Sequence, residues 1–227
     1  MNIALIVAAG SGSRMASADQ PKQFILVKDK PLMIYSLEAF QNHEEIDAIF
    51  IVTSGPYINQ VKDWCIQYQL TKVRAIIPGG FTRQESVYNG LCKIKEYAKD
   101  FDNDIVLIHD AARPLVSKQI ISVNISKCKQ YDATCTAVQV KDTIARSSNG
   151  QNVEEVVNRE ELYQCQTPQA FKLSLIIRAH DYSQGNATDD AQLVLALHKD
   201  VYFVEGDPLN YKITTDTDLL MLKSLLK

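Results

Sequence analysis

Two groups of residues in this chain have the chemistry to handle a phosphate. The first follows the apolar run "NIALIVAA". Gly10 and Gly12 bare the backbone, Arg14 comes next, and Lys22 follows Pro21 in "PKQF". Main-chain N–H groups without side chains beside them let phosphate oxygens approach closely. Two cations just behind such a loop supply what phosphoryl and nucleotidyl transfers need most, positioning and charge neutralisation. Proline fixes the backbone ahead of Lys22 and helps to aim it. The second group is "LIHDAARP", which sets Asp110 at the end of an apolar run with Arg113 close behind. A carboxylate there can hold a hard cation such as Mg2+, cap a helix, or pair with Arg113. Gly79-Gly80, after another apolar run, reads from the residues alone as an ordinary strand-to-helix turn.

Two familiar nucleotide loops do not fit the first group. The P-loop ends in G-K-[ST], whereas Gly12 is followed by Ser13-Arg14. The dinucleotide fingerprint needs a glycine where Met15 stands, and an acidic residue closing the second strand, where Thr53-Ser54 stand. A nicotinamide-dependent oxidoreductase is therefore disfavoured. A plain turn of small residues and a non-catalytic nucleotide-binding module are the other readings. A module that only binds would tolerate loss of Lys22 or Lys212, and both are present. His109 has no second His or Cys near it in sequence and reads as structural.

The elements that must position these groups are legible as alternating patterns. Strands are expected at Asn2–Ala8, Ala48–Thr53, Val73–Ile77, Ile105–Ile108, Ala133–Val138 and Val201–Val204. Helices are expected at Pro31–Gln41, Tyr57–Gln69, Thr82–Lys99, Lys118–Tyr131, Leu173–Ser183, Asp189–His198 and Thr215–Leu226. Strands apolar on both faces, separated by helices, mean crossover units and a mainly parallel α/β sheet. Ligands bind at the carboxyl edge of such a sheet, where both groups fall. The segment after Ala133–Val138 breaks this rhythm. Val138–Ile144 and Val153–Val157 flank "SSNGQ", and Asn149-Gly150 favours a tight hairpin turn. A two-stranded arm is marginal alone, so a protruding β-hairpin that leans on a partner subunit is expected.

Composition bounds the rest. The 227 residues carry a formal net charge of -3, with 46% hydrophobic and 22% charged residues. That balance gives no basic field for nucleic acid or membrane. The first apolar run is too short to span a bilayer and has no basic leader, so a cytoplasmic protein is expected. The five cysteines are scattered without a C-x-x-C pair and read as small buried hydrophobes.

"AAGSGSRM" with "PKQF" resembles the signature of sugar- and alditol-phosphate nucleotidyltransferases. "GGFTRQESVYNGL", "VLIHDAARPLV", "VKDTI", "NREELYQCQTPQAF", "ATDDAQLV" and "EGDPLNYKITTDTDL" resemble, in order and over nearly the whole chain, segments of the 2-C-methyl-D-erythritol 4-phosphate cytidylyltransferase family. The ribitol-5-phosphate cytidylyltransferases share most of them. The resemblance implies a single Rossmann-like nucleotidyltransferase domain over residues 1–227, with a dimerisation and substrate arm at about 139–160. It implies transfer of CMP from CTP to 2-C-methyl-D-erythritol 4-phosphate, with release of pyrophosphate, in the non-mevalonate isoprenoid precursor pathway. The alternative acceptor is ribitol 5-phosphate, giving CDP-ribitol.

Residue by residue, the resemblance implies nucleotide binding by Ala8, Ala9, Gly10, Gly12, Gly79, Gly80, Ser86 and Ala111. Arg14, Lys22 and Lys212 would stabilise the charged transition state. Asp110, Arg113, Thr143, Arg159, Thr167 and Thr188 would bind the acceptor, and Asp110 would also meet Mg2+. Thr143 and Arg159 would reach across from the arm of a homodimer partner; the blander readings are a β-prone residue and an ion pair with Glu160 or Glu161. Four positions depart from the family pattern. Phe81 stands where an acidic residue is frequent, Asn158 where Asp commonly precedes the arginine, Tyr163 where Trp is common, and Tyr211 where an aliphatic residue precedes Lys212. "LYQCQTPQ" is similar to the ribitol-phosphate relatives, "HDAARP" to the methylerythritol ones.

Overall fold

The computed structural model describes residues 1–10, 20–183, 185 and 187–226. Gly12 and Arg14 lie outside the described residues. Strand β1 (Asn2–Ala8) shows how the layers form. Its side chains alternate, so Ala4, Ile6 and Ala8 enter one apolar cluster and Ile3 and Leu5 the other. A short antiparallel pair, β2 (Leu26–Val27) and β3 (Lys30–Pro31), leads into helix α1 (Leu32–Gln41). Then follow β4 (Ala48–Thr53), α2 (Ile58–Gln67), β5 (Val73–Pro78), α3 (Arg83–Tyr97), β6 (Ile105–Asp110), α4 (Lys118–Tyr131) and β7 (Ala133–Gln139). The arm holds β8 (Ile144–Arg146) and β9 (Glu155–Val157). The remaining elements are β10 (Tyr163–Lys172), α5 (Leu173–Tyr182), α6 (Asp190–Ala196), β11 (Tyr202–Glu205) and α7 (Asp216–Leu225).

The central sheet has seven strands in the order β11-β7-β10-β6-β1-β4-β5. Among the described residues all run parallel except β10, which lies antiparallel between β6 and β7. Apolar side chains of α1, α2 and α4 pack in one cluster; those of α3, α5 and α6 pack in the other. Helices on both faces explain why β4 and β6 are buried along their whole length. Gly90 lets α3 approach closely, since a Cβ there would stand 2.5 Å from Leu5 Cδ1. Helix starts are set by their caps: Thr82 Oγ1 accepts from Glu85 N, Ser117 Oγ from Ile120 N, and Thr215 with Asp218 forms a capping box.

The expected strands and helices are present, with ends shifted by a few residues. The strand β10 is the correction. No strand is expected from the sequence at "YQCQTPQAFK", yet it is a central strand. A proline and three glutamines argue against a buried strand in sequence. The chain resolves this with an irregular register between Cys165 and Gln169 and with dedicated partners for its polar groups, described below. The arm's turn is also longer than the tight one that Asn149-Gly150 suggests. β8 and β9 pair from Arg146 to Glu155, and the loop between them is folded by Asn149 Oδ1, which accepts from Gln151 N and Asn152 N. Gly150 takes a φ of 69° there. The cysteines are all free, and Cys92 and Cys165 are exposed rather than core residues. No helix among the described residues is long and apolar enough to cross a membrane.

Candidate active site

The carboxyl ends of β1, β4 and β6 lie side by side, with Val7 paired to Asp110 and Ala8 to Thr53. Above them opens a cavity of about 430 Å3. Ala8, Ala9, Gly10, Gly80, Ser86 and Ala111 line it, as the sequence implied for the nucleotide, together with Lys22, Asp110 and Lys212. Gly79 stands just behind, where its N–H donates to the Thr53 carbonyl at 2.8 Å. The two turns pack closely against each other and against the start of α3. A Cβ at Gly79 would come within 2.5 Å of Ala9 Cβ, and one at Gly80 within 2.4 Å of Glu85 Cβ. The turn is held from α3: Gly80 N donates to Ser86 Oγ at 3.1 Å, and Phe81 N to Glu85 Oε2 at 2.7 Å. The first loop is held by Gln23, whose Nε2 donates to the carbonyls of Ala8 (2.6 Å) and Gly10 (3.0 Å).

Asp110 is the centre of charge. It is 7% exposed and is the one carboxylate lining the cavity among the described residues. Lys212 Nζ lies 2.8 Å from Oδ2, Arg113 Nε 3.6 Å from Oδ2, and Arg83 Nε 3.7 Å from Oδ1. Burial opposes its ionisation, but Lys212, Arg83 and Arg113 outweigh burial and hold the carboxyl well below the usual carboxylate range. Arg113 does not line the cavity; it braces the carboxylate from behind and donates from Nη1 to the Asn210 carbonyl at 2.8 Å.

His109 and Thr167 fix the backbone under Asp110. His109 Nε2 lies 3.1 Å from the Arg113 carbonyl, which can only accept, so this nitrogen carries the proton. Nδ1 is then the acceptor, and the Thr167 hydroxyl donates to it at 3.1 Å. The same hydroxyl accepts the Asp110 N–H at 3.0 Å. Burial pushes the histidine down to about 4, so it is a neutral strut, as its sequence context suggested. Thr167, expected to bind the acceptor, sits in this buried strut and not on the cavity wall.

The loop from β11 to α7 carries Lys212 into place. Asn210 Nδ2 donates to Gln166 Oε1 (3.0 Å) and to the Thr167 carbonyl (2.9 Å), and Ile213 N donates to the Ala112 carbonyl (2.8 Å). Lys22 Nζ donates to the Ile213 carbonyl at 2.7 Å, tying the first lysine to the segment that bears the second. Here the polar residues of β10 find their use: Gln166 also donates to the Asp207 carbonyl at 2.9 Å, and Gln169 bridges Asp189 and Ala191 N.

Three of the expected residues lie away from the cavity. Thr143 and Thr188 are exposed, and Arg159 Nη1 donates to the Lys141 carbonyl at 2.9 Å, not to Glu160 or Glu161. Sequence reasoning missed Arg83 and Asp190. Arg83 Nη2 donates to Asp190 Oδ2 at 2.6 Å, and burial of both is outweighed by their opposite charges. The signal was available in the quoted "GGFTRQES" and "ATDDAQLV", whose Arg and Asp meet only in the fold.

An α/β sheet that opens a cavity walled by small residues beside three cations, Lys22, Arg83 and Lys212, has the parts of a nucleotidyltransferase. The model of the 2-C-methyl-D-erythritol 4-phosphate cytidylyltransferase (IspD) family matches residues 2–227, and the chain belongs to that family. It is 40% identical over 229 residues to the 2-C-methyl-D-erythritol 4-phosphate cytidylyltransferase of Clostridium botulinum, covering 100% of this chain and 97% of that one. It is 37% identical over 231 residues to the ribitol-5-phosphate cytidylyltransferase of Vibrio parahaemolyticus, covering 100% and 96%. Among solved structures, the 4-diphosphocytidyl-2C-methyl-D-erythritol synthase of Anaerococcus prevotii superposes with a TM-score of 0.83 at 30% identity, covering 100% of this chain and 96% of that one.

Proposed function

We propose that the protein transfers CMP from CTP to 2-C-methyl-D-erythritol 4-phosphate, with release of pyrophosphate. The observation that carries the reading is the union, in one cavity, of the bare slot between Ala8-Ala9 and Gly79-Gly80 with the cations around Asp110. A small pyrimidine suits a cavity wall built from alanine and glycine turns. The acceptor's phosphate monoester oxygen is the nucleophile and is already anionic near neutral pH. It bonds to the α-phosphorus of CTP in line, the bond from that phosphorus to the bridging oxygen breaks, and the electron pair leaves with pyrophosphate. No general base is required, which suits a site in which the imidazole beneath Asp110, His109, is buried and neutral.

Lys22 and Lys212 stabilise the charge that develops at the reacting phosphates, and Arg14 joins them from the loop outside the described residues. Ala8, Ala9, Gly10, Gly12, Gly79, Gly80, Ser86 and Ala111 take the nucleotide. Asp110, braced by Arg113 and Thr167, faces the acceptor, and Thr188, exposed outside the cavity lining, is a further candidate contact for it. Thr143 and Arg159 serve the cavity of a second subunit, since neither reaches the cavity of its own chain. Guanidinium and hydroxyl donors on an arm suit the acceptor's phosphate. A cytoplasmic homodimer joined through the arm follows from this reading.

A magnesium ion fits as a companion of the nucleotide. Among the described residues no cluster of three His, Cys, Asp or Glu could hold a metal by itself. Asp110 offers one ionised oxygen ligand, and Mg2+ commonly takes one or two carboxylates with substrate phosphates supplying other positions. When bound, it offsets the charge of the triphosphate and the leaving group.

Ribitol 5-phosphate is the second reading for the acceptor, favoured by the 37% identity to a protein of that name and by Tyr163. "HDAARP" and the family match favour the methylerythritol substrate. The test is stoichiometric. CTP labelled at the α-phosphate, incubated with 2-C-methyl-D-erythritol 4-phosphate, should give labelled cytidine diphosphate-alditol and pyrophosphate in equal amounts. Acceptor-independent hydrolysis of CTP, with no labelled alditol, would overturn the reading.

A further inference from the structure

Arg83 opens α3 and lines the cavity, yet the reaction as described gives it no task. Its guanidinium is anchored on one side only. Nη2 donates to Asp190 Oδ2 at 2.6 Å, and Nε stands 3.7 Å from Asp110 Oδ1, beyond hydrogen-bond range. Within the described residues its hydrogen bonding is confined to Asp190. Asp190 is 1% exposed and opens α6; its other oxygen lies 3.8 Å from His180 Nε2, a buried nitrogen with no hydrogen-bond partner. The carboxylate is therefore held from below and committed to the arginine. The arginine side chain is 25% exposed, and the space it meets is the cavity.

A guanidinium carries five N–H donors in a rigid planar fork. Asp190 anchors one arm of this fork through Nη2 and leaves Nη1 and its two donors for a ligand. A cation that served only to tie α3 to α6 would have no reason to line the cavity beside Lys22 and Lys212. An oriented fork with open donors matches the geometry of a phosphate oxyanion, which it can grip at two points.

We propose that Arg83 binds a phosphate group of a substrate through its Nη1 side, and that Asp190 is the residue that positions it. This rests on the reading of the cavity as a phosphate-transfer site. The phosphate belongs either to the nucleotide or to the acceptor, and the two sources share the same recognition chemistry.

The test uses inorganic pyrophosphate as a probe whose binding does not depend on turnover. Calorimetric titration of the full-length Arg83→Lys variant, folded with a wild-type-like Tm, should show affinity lowered about ten- to a hundredfold, because a point charge replaces the oriented fork. Asp190→Asn should weaken pyrophosphate in the same direction, and combining the two should add little to Arg83→Lys alone. In steady-state assays the KM of one substrate should rise, and the substrate affected identifies the phosphate. A folded Arg83→Lys with wild-type pyrophosphate affinity and unchanged KM for both substrates overturns the proposal. If Arg83→Lys does not fold, Asp190→Asn carries the test alone, and unchanged pyrophosphate affinity in it overturns the proposal. Failure of the wild type to couple CTP to an alditol phosphate would instead strike the function, since the pyrophosphate titration stands apart from it.

Discussion

Lys212 Nζ sits 2.8 Å from Asp110 Oδ2, joining the loop ahead of α7 to the end of β6. Lys22 reaches the same loop by a different bond, donating to the main-chain carbonyl of Ile213 at 2.7 Å. The two lysines should therefore be equal in rate and unequal in their effect on Asp110. Lys22→Ala and Lys212→Ala should each lower kcat by about a hundredfold or more, the range for removing one donor aimed at developing charge. Only Lys212→Ala should also raise the pKa of Asp110, because it removes the first of the charges that depress it. Carboxyl titration by NMR together with steady-state rates checks both halves. Near-normal turnover in either folded variant would remove that lysine from the chemistry.

The slot makes a steric prediction. Gly79→Ala places a Cβ 2.5 Å from Ala9 Cβ and 3.0 Å from Ser86 Oγ. The glycine turns must part or the base must shift. KM for CTP should rise at least tenfold, roughly the effect of one misplaced methyl in a fitted pocket. Unchanged nucleotide affinity in a crystal-clear, folded variant would move the base to another part of the cavity.

His109 sets a pH dependence of stability. Its folded pKa is lowered by burial to about 4, below the ordinary value of 6.5. Between those values the unfolded chain takes up a proton that the native state refuses. Stability should be constant above pH 6.5 and fall as pH drops toward 4, by up to about 3 kcal/mol from this group. Asp110 acts in a lower window: its depressed pKa gives stability present above the ordinary carboxylate value and lost only below it. Urea unfolding of the wild type and His109→Gln at several pH values between 4 and 7 separates them. The variant should lose this slope; an identical slope in both proteins would place the titrating group elsewhere.

The arm makes the fourth case. β8 and β9 form their own two-stranded sheet and share no ladder with the central one. Replacing Lys141–Val157 by a short glycine turn should leave β7 and β10 paired and CTP binding intact. It removes Thr143 and the carbonyl that holds Arg159, so acceptor binding and dimerisation should both weaken sharply. Sedimentation and calorimetry with each substrate read this out. A truncated protein that stays a fully active dimer would deny the arm both roles.

How much of this was legible depended on the range over which a residue finds its partners. The strands β1, β4 and β6 were readable because each is buried along a continuous apolar run. The glycine turns, Lys22 and Asp110 were readable because bare backbone after a strand has few other uses. β10 was not. Gln166, Thr167 and Gln169 are buried, and the groups that satisfy them come from Asp207, His109, Asp110 and Asp189, all distant in sequence. Local polarity cannot announce burial when the compensating bonds are non-local. Arg83 was missed for the same reason, since only the fold sets the start of α3 beside the end of β6 and the start of α6, and so brings Asp110 and Asp190 to it.

The central claim is cytidylyl transfer to one particular alditol phosphate, and side-by-side kcat/KM values test it most directly. Purified protein should be assayed by pyrophosphate release with CTP, UTP, ATP or GTP, each against 2-C-methyl-D-erythritol 4-phosphate and ribitol 5-phosphate. The account predicts turnover with CTP well above UTP and far above either purine, and a higher kcat/KM for 2-C-methyl-D-erythritol 4-phosphate than for ribitol 5-phosphate. A clear preference for ribitol 5-phosphate would contradict the acceptor, and absence of pyrophosphate release with CTP and either alditol would contradict the reaction itself.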